Sequence, residues 1–274
     1  MAVGIPIVLA PSKSNYSSMK KVLKKFALLS LMLTSGFYLS SCGEKDDDVI
    51  TDPQTQAKMT ATASTSTSTL SNARVTIGAF TVSNFTVGTQ NVEMKYFAKA
   101  DLSAGISLGN LKSKTILNAG LQKTASAKKS NVIISAGKSQ FSLIGEGNTP
   151  EGNYTEATFK LYKNTEATAN DPMFQKSILI TGQINGKLSQ FWTESEKVIK
   201  AASKTSVGVE VNQNSEVVLV FEMDKLFAGI DFATAKDSNG DGRIEISPIS
   251  PDGNAAIFSK IESNLETAVS LRRR

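Results

Sequence analysis

The segment with the clearest potential for chemistry is DSNGDGRIE, which begins at Asp237. Oxygen-bearing side chains recur at alternating positions in this segment, and a glycine follows the third of them. Calcium is a hard cation that prefers oxygen ligands, and a glycine allows the sharp turn that brings alternate side chains onto one ion. The pattern predicts a calcium site formed by Asp237, Asn239, Asp241, Arg243 and Glu245.

The same segment departs from a complete calcium loop in one important place. Its first nine residues have the spacing of an EF-hand-type loop, but the twelfth, which should be a bidentate glutamate, is Pro248. Asp252, four residues further on, is a candidate replacement ligand. The residues after the loop alternate as in a strand rather than a helix. The alternative interpretation is therefore a turn into a strand, rich in glycine, asparagine and aspartate, with its carboxylates in water.

A second candidate is the pair Phe191-Trp192, which contains the only tryptophan of the chain. Adjacent residues of a strand face opposite sides, so one ring should point into the core and the other outwards. An outward Trp192 could stack on a sugar ring, whereas core or edge packing is the usual position of such a residue.

The composition argues against most catalytic systems. The chain has no histidine, which removes the commonest general base and the serine–histidine and cysteine–histidine nucleophile systems. A carboxylate-based glycoside hydrolase remains the enzymatic alternative, but the acids near predicted strands show no spacing that marks a pair. These acids are Glu210, Glu222, Asp224 and Asp231. The expectation is a non-catalytic protein.

The N-terminal region has the pattern of a secretory signal. A lysine-rich run follows Met19, and an uncharged, mostly apolar stretch continues from Phe26 to Leu39. That stretch is shorter than the roughly 20 apolar residues of a transmembrane helix. Residues 1–41 are therefore predicted to be a signal peptide, and the true start of translation could be Met19 rather than Met1.

The signal ends in Leu39-Ser40-Ser41-Cys42, and Cys42 is the only cysteine. This tetrapeptide resembles the bacterial lipobox, in which the cysteine is acylated and becomes the new N-terminus. The resemblance implies that Cys42 anchors the protein to a membrane. The acidic run after it, 44–48, resembles the signal that directs lipoproteins of Bacteroidota to the cell surface. An outer-membrane lipoprotein exposed at the surface is the resulting expectation.

The net charge gives no indication of a nucleic-acid partner. The full chain has 30 basic and 25 acidic residues, but residues 1–41 contribute five lysines and no acid, so the remainder is neutral. Binding to nucleic acid would require a basic face on the folded domain.

The chain after the signal is predicted to have two parts. Residues 42–70 would be the lipidated N-terminus and a flexible linker, because 57–70 (AKMTATASTSTSTL) is low in complexity and nearly uncharged. Residues 71–274 would form the folded domain. Period-two alternation dominates there, and Asn185-Gly186 marks a hairpin. The apolar run 217–223 (VVLVFEM) indicates a strand that is buried on both faces or lies at the centre of a sheet. A short helix is expected near Asp224.

Apolar residues at helical spacing from Ile257 to Val269 predict a C-terminal helix, with Arg272–Arg274 at its negative end. The fold class is therefore predicted to be mainly β: an antiparallel β-sandwich with a C-terminal α-helix. From Gly152 onwards the order of these segments resembles β-sandwich lipoproteins of Bacteroidota. That resemblance implies a fold and no activity.

Two functions from different classes remain open. The first is a lipid-anchored surface module that binds a protein or a glycan, with calcium as a possible stabilising ion. The second is a structural subunit similar to the fimbrial precursors of Bacteroidota, which are cut after an arginine so that a groove opens for a donated strand. Arg74, just before a predicted strand, lies where such a cut would fall. The predicted C-terminal helix argues against this second function.

Overall fold

Fifteen β-strands and a few short helices make up the residues that this computed structural model describes, which are 53–66, 75–98, 117–120 and 128–274. Ile50–Arg274 forms one compact unit. The predicted signal peptide, Cys42 and Arg74 lie outside the described residues. The strands are β1 (Gln54–Ser64), β2 (Thr76–Ile77), β3 (Phe80–Ala98), β4 (Leu117–Gly120), β5 (Lys129–Ser135), β6 (Lys138–Ser139), β7 (Ser142–Pro150), β8 (Gly152–Leu161), β9 (Ile178–Ile184), β10 (Lys187–Thr193), β11 (Val198–Ser203), β12 (Val209–Val211), β13 (Glu216–Glu222), β14 (Arg243–Ile246) and β15 (Val269–Arg273).

The helices are short and lie in the C-terminal third of the chain. In the part of the chain that the structure describes they are α1 (Met223–Leu226), a 3₁₀ turn (Phe232–Thr234) and α2 (Ala255–Asn264). The prediction of a mainly β protein with few helices is confirmed. None of the described helices is both long and apolar enough to cross a bilayer.

The strands form one connected sheet whose main path runs β14-β10-β9-β3-β8-β11-β15-β13-β1-β7. Most neighbours are antiparallel, but β1–β13, β10–β14 and β11–β15 pair in parallel. The sheet is therefore mixed, whereas the sequence pattern predicted an antiparallel arrangement. Alternation of side chains along one strand does not reveal the direction of its neighbour, which is why the pattern missed the parallel pairs.

The sheet folds back on itself around one hydrophobic core. Phe221 on β13 lies 5.4 Å from Phe85 on β3, measured between ring centroids, although three strands separate β13 from β3 along the sheet path. Phe159 on β8 lies 6.1 Å from the same Phe221 ring. All three rings are fully buried, and they belong to a single cluster of core residues.

The predicted hairpin at Asn185-Gly186 is confirmed. β9 and β10 pair in antiparallel register on either side of it, and both turn residues have positive φ, 51° for Asn185 and 81° for Gly186. Positive φ at both central positions is the requirement of the favoured two-residue hairpin turn. This hairpin places Trp192 and its neighbours on the sheet.

The segment predicted to be a flexible linker is largely a strand, which corrects the domain boundary at residue 71. β1 lies inside the sheet, parallel to β13 and antiparallel to β7. Its inward residues are all fully buried: Ala57, Met59, Ala61 and Ala63. Low complexity and small side chains suggested disorder, but small residues in alternation suit a strand that has a partner on each side. The partners contribute the apolar surface that β1 lacks.

The prediction for the C-terminal end of the chain is also corrected. The predicted helix forms, but it stops at Asn264, and the following residues turn into β15 between β11 and β13. Arg272 and Arg273 therefore belong to the sheet, and Arg274 follows it, so these arginines are not at a helix end. Arg274 makes two hydrogen bonds to Glu216, at 2.6 and 2.8 Å, and Arg272 donates to Glu222 at 3.1 Å.

Candidate binding groove and oxygen-rich loop

The structure separates the five predicted calcium ligands into two groups. Asp237, Asn239 and Asp241 lie together in the loop that precedes β14. Arg243 and Glu245 belong to β14 itself, and both line a groove on the outer face of the sheet. Among the described residues, no group of three or more carboxylate, cysteine or histidine side chains could hold a metal ion.

The loop side chains are occupied by hydrogen bonds within the loop. Asp237 accepts from the backbone N–H groups of Gly240 and Gly242, at 3.0 and 3.2 Å, and from the Lys187 ammonium at 3.2 Å. Asn239 and Asp241 each accept from the backbone N–H two residues ahead. Burial alone would raise the pKa of Asp237, but Lys187 and the two N–H groups outweigh it and lower that pKa.

Asp252, the candidate replacement ligand, has a structural role instead. It is completely buried and accepts backbone N–H bonds from Asn239 at 3.3 Å and from Glu245 at 2.7 Å. The second bond satisfies an N–H of β14, the strand at the end of the sheet path, whose other side has no strand partner in the part of the chain that the structure describes. Asp252 therefore fastens the loop to the edge of the sheet.

The predicted inward and outward orientation of the aromatic pair on β10 is confirmed. Phe191 is buried against Phe258 of α2, with ring centroids 6.0 Å apart. Trp192 is half-buried on the opposite face of the sheet. Its indole N–H donates to Glu245 at 3.2 Å, and the Lys176 ammonium lies 5.4 Å from its ring centroid. A cation at this distance interacts favourably with the ring.

A row of polar side chains crosses four strands beside Trp192. Strand register places Asn84 opposite Thr181, Thr181 opposite Gln190, and Gln190 opposite Glu245. Asn84 donates to Thr181 at 3.2 Å, and Gln190 donates to Glu245 at 2.8 Å. Four adjacent strands span roughly 14 Å, so the row is long enough for several groups of an extended ligand.

Two adjoining depressions lie over this row, with volumes of about 490 and 260 Å³, and both are lined by Thr181, Gln190 and Arg243. We call them together the outer groove. Exposed apolar residues stand at its two ends: Ile249, 72% exposed, lines the larger depression, and Leu188, 57% exposed, lines the smaller. The outer groove thus combines an aromatic ring, amide and hydroxyl groups, and apolar ends.

Sequence reasoning identified Trp192 but missed most of the groove. Period two from Trp192 places Gln190 and Leu188 on the same outer face, so part of the site was accessible from the pattern of β10 alone. The contribution of β14 was not accessible, because the parallel pairing of β10 with β14 joins residues that are more than fifty positions apart. Glu245 was for this reason assigned to the metal loop.

Glu222, one of the acidic residues noted near strands, lies at the centre of a cluster of charged side chains. Glu222 is surrounded by cations: Lys204 at 2.6 Å, Lys225 at 3.0 Å and Arg272 at 3.1 Å. Burial would raise the pKa of Glu222, but hydrogen bonds from these cations and from Ser270 outweigh it and lower that pKa to about 2. Glu222 is therefore ionised at neutral pH, at the centre of an ion network that joins β13 to β15.

The outer groove has to be judged on its own chemistry. Comparison with protein family models, with curated protein sequences and with solved structures gives no match. A fold by itself carries no function, whereas the geometry and chemistry of specific residues do. The arrangement of Trp192, the polar row and the flanking cations is therefore the basis for a functional assignment.

Proposed function

We propose that this protein is a non-catalytic, lipid-anchored protein of the cell envelope that binds a glycan in the outer groove. The single observation that carries the proposal is the placement of Trp192 next to a row of amide, hydroxyl and carboxylate groups on one sheet face. A sugar offers an apolar face of C–H groups and a rim of hydroxyls, and this groove offers an aromatic ring and polar groups at matching positions.

The hydrogen bonds of Glu245 support a binding role for the outer groove rather than a catalytic one. Its two carboxylate oxygens accept bonds from Gln190, Trp192 and Ser247. A general acid or nucleophile for glycoside cleavage needs a second carboxylate within roughly 10 Å across a cleft. No other acidic side chain lines the outer groove among the described residues. Glu245 is placed to orient Trp192 and Gln190.

The envelope location rests on the lipobox-like sequence at Cys42 and the acidic run behind it. With β1 starting at Gln54, the segment between the anchor and the sheet is short. The glycan would then be one that reaches the membrane surface, and the folded unit would be held close to it. Membrane attachment of the full chain, lost in Cys42→Ala, is the outcome that this part of the proposal requires.

The test of glycan binding uses residues 50–274 on an array of polysaccharides and oligosaccharides. We expect binding that Trp192→Ala abolishes. Phe141→Ala is the matched control, since Phe141 is a partly exposed aromatic residue outside the groove. Its ring centroid lies 4.2 Å from the guanidinium carbon of Arg274. Binding that Trp192→Ala leaves unchanged would place the site elsewhere, and an array without any binding would contradict the proposal.

A second candidate function, a fimbrial-type structural subunit processed after Arg74, is favoured by the position of β1. A cut after Arg74 would separate β1 from β2 and the rest of the fold. Loss of β1 would leave a slot between β13 and β7, which another strand could fill. The chain's own β15 already pairs on both sides, so a donor strand would have to come from another segment.

This second function predicts ordered polymers after treatment with an arginine-specific protease. Size-exclusion chromatography and electron microscopy of the treated protein would detect them, and Arg74→Gln is the control that resists the cut. Protein that stays monomeric after complete cleavage at Arg74 would remove this candidate and leave glycan binding.

A further inference from the structure

The outer groove holds two cations that have no carboxylate partner among the described residues. Arg243 is exposed, belongs to β14 and lines both depressions of the groove. The Lys176 ammonium donates to the carbonyl oxygens of Pro172 and Phe174, at 3.0 and 3.5 Å, and lies over the Trp192 ring. Both charges therefore remain available to an anionic group.

The one acid in the groove does not cancel these charges. Glu245 lies two residues from Arg243 on the same strand face, yet it bonds Gln190, Trp192 and Ser247 rather than the guanidinium. The groove thus has an exposed arginine, a half-buried lysine and one negative group that is engaged by three donors. An acidic ligand complements this charge pattern better than a neutral one.

Building on the proposed glycan-binding function, we infer that the outer groove binds a carboxylated saccharide, with Arg243 as the carboxylate partner and Trp192 as the stacking platform. A guanidinium presents two parallel N–H donors that match the two oxygens of a carboxylate. The sugar ring packs on Trp192, and its hydroxyls reach Gln190 and Thr181 in the polar row. Lys176 adds positive charge at the Trp192 end.

The carboxylate rather than the sugar hydroxyls would then decide specificity. The neutral form of a uronic acid polymer, with its carboxyl groups esterified, keeps every hydroxyl and loses the charge. This pair of polymers isolates the contribution of the carboxylate, and the Arg243 variants then assign its partner.

The experiment measures binding of residues 50–274 to polygalacturonate and to its fully methyl-esterified form, by affinity electrophoresis and by calorimetry with an oligogalacturonide. We expect binding to the acidic form only. Arg243→Gln should weaken it at least tenfold, and Arg243→Lys should restore part of it. Lys200→Gln is the matched control, since Lys200 is an exposed lysine of β11 outside the groove, and it should change affinity by less than twofold.

Each other outcome has a distinct meaning. Equal binding of both polymers that depends on Trp192 but not on Arg243 would overturn the carboxylate inference and keep glycan binding. Preference for a sulfated polymer would overturn the carboxylate assignment in favour of sulfate. If poly-glutamate binds equally well and Trp192→Ala does not weaken that binding, the groove is a nonspecific anion-binding site. That result would overturn the inference of a saccharide ligand. Binding of no glycan at all would contradict the proposed function itself.

Discussion

The side chain of Glu222 shows how much one residue can influence stability through its neighbours. It lies at the end of β13, and its carboxylate holds Lys204, Lys225, Arg272 and Ser270 in place. The network joins β13 to β15, so it fastens the C-terminal strand to the middle of the sheet.

The lowered pKa of Glu222 predicts a pH dependence of unfolding. Its pKa falls from 4.5 in a free chain to about 2 in the fold. A depressed acid pKa contributes stability that is fully present above the unfolded value and is lost as the pH falls through the folded value. We expect a contribution on the order of 2 kcal/mol, reduced from the full shift because the lysines are half exposed to solvent. It should disappear between about pH 4.5 and pH 2.

Denaturant unfolding of residues 50–274 at several pH values tests this expectation. In Glu222→Gln the free energy of unfolding at pH 7 should be lower than in the unchanged protein. That free energy should also fall less between pH 4.5 and pH 2, because the contribution of Glu222 is already absent. Glu146→Gln, on β7, is a comparison for removing a carboxylate elsewhere. An unchanged pH profile in Glu222→Gln would show that the ion network does not stabilise the fold.

A second prediction at the scale of single residues concerns calcium binding by the oxygen-rich loop, which contains Asp237, Asn239 and Asp241. Because Lys187 already donates to Asp237, a calcium ion must displace that ammonium before it can bind. We therefore expect only a small increase in Tm in millimolar calcium relative to chelator, and a larger one in Lys187→Gln. The double variant Asp237→Ala, Asp241→Ala should show none. A thermal melt of Lys187→Gln without any shift would reduce the loop to a turn.

At the scale of elements, β1 is the strand whose role differs most from its sequence pattern. It forms one ladder with β13 and another with β7, and Met59 faces the core with no exposed surface. A linker residue could be truncated without consequence, whereas a buried methionine cannot, because truncation leaves a cavity.

Met59→Ala in residues 50–274 should therefore lower the free energy of unfolding by about 2 to 5 kcal/mol. Gln56→Ala, which changes an exposed residue of the same strand, should change it by less than about 0.5 kcal/mol. Urea unfolding followed by circular dichroism gives both values. Equal, negligible effects of the two substitutions would support the linker interpretation of residues 57–70.

The outer groove also depends on the two neighbours of β10, of which the sequence pattern predicts only one. The alternation around Trp192 predicts which β10 residues face outwards, and the Asn185-Gly186 turn predicts the pairing of β10 with β9. Neither predicts β14 as the other neighbour of β10. The parallel pairing brings Arg243 and Glu245 beside Leu188 and Gln190, and this creates the charge pattern on which the carboxylate inference rests.

At the scale of the whole molecule, one core connects strands from both ends of the chain. β1 and β15 are both inside the sheet, and a single cluster of buried residues includes Met59, Phe85 and Leu271. A unit with one core is expected to lose its structure in one step, because no part retains a complete core when another part unfolds.

We therefore expect residues 50–274 to unfold in a single transition. Trp192 is the only tryptophan and reports on the groove end of the sheet, whereas far-ultraviolet circular dichroism reports on all strands. The two signals should have the same Tm, and the calorimetric and van't Hoff enthalpies should agree. Separate midpoints would mean that the groove belongs to an independently folding part.

The amino-acid sequence by itself determined the local features: the mainly β character, the hairpin at Asn185-Gly186, the buried strand within 217–223 and the outward position of Trp192. These features depend on residues within a few positions of one another, through side-chain alternation and turn geometry. Only the tertiary structure decided that residues 54–64 are a strand, that Arg272 and Arg273 belong to β15, and that Glu245 lies beside Trp192. Each of these depends on a partner strand distant in the sequence, and alternation along one strand contains no information about which strand that is.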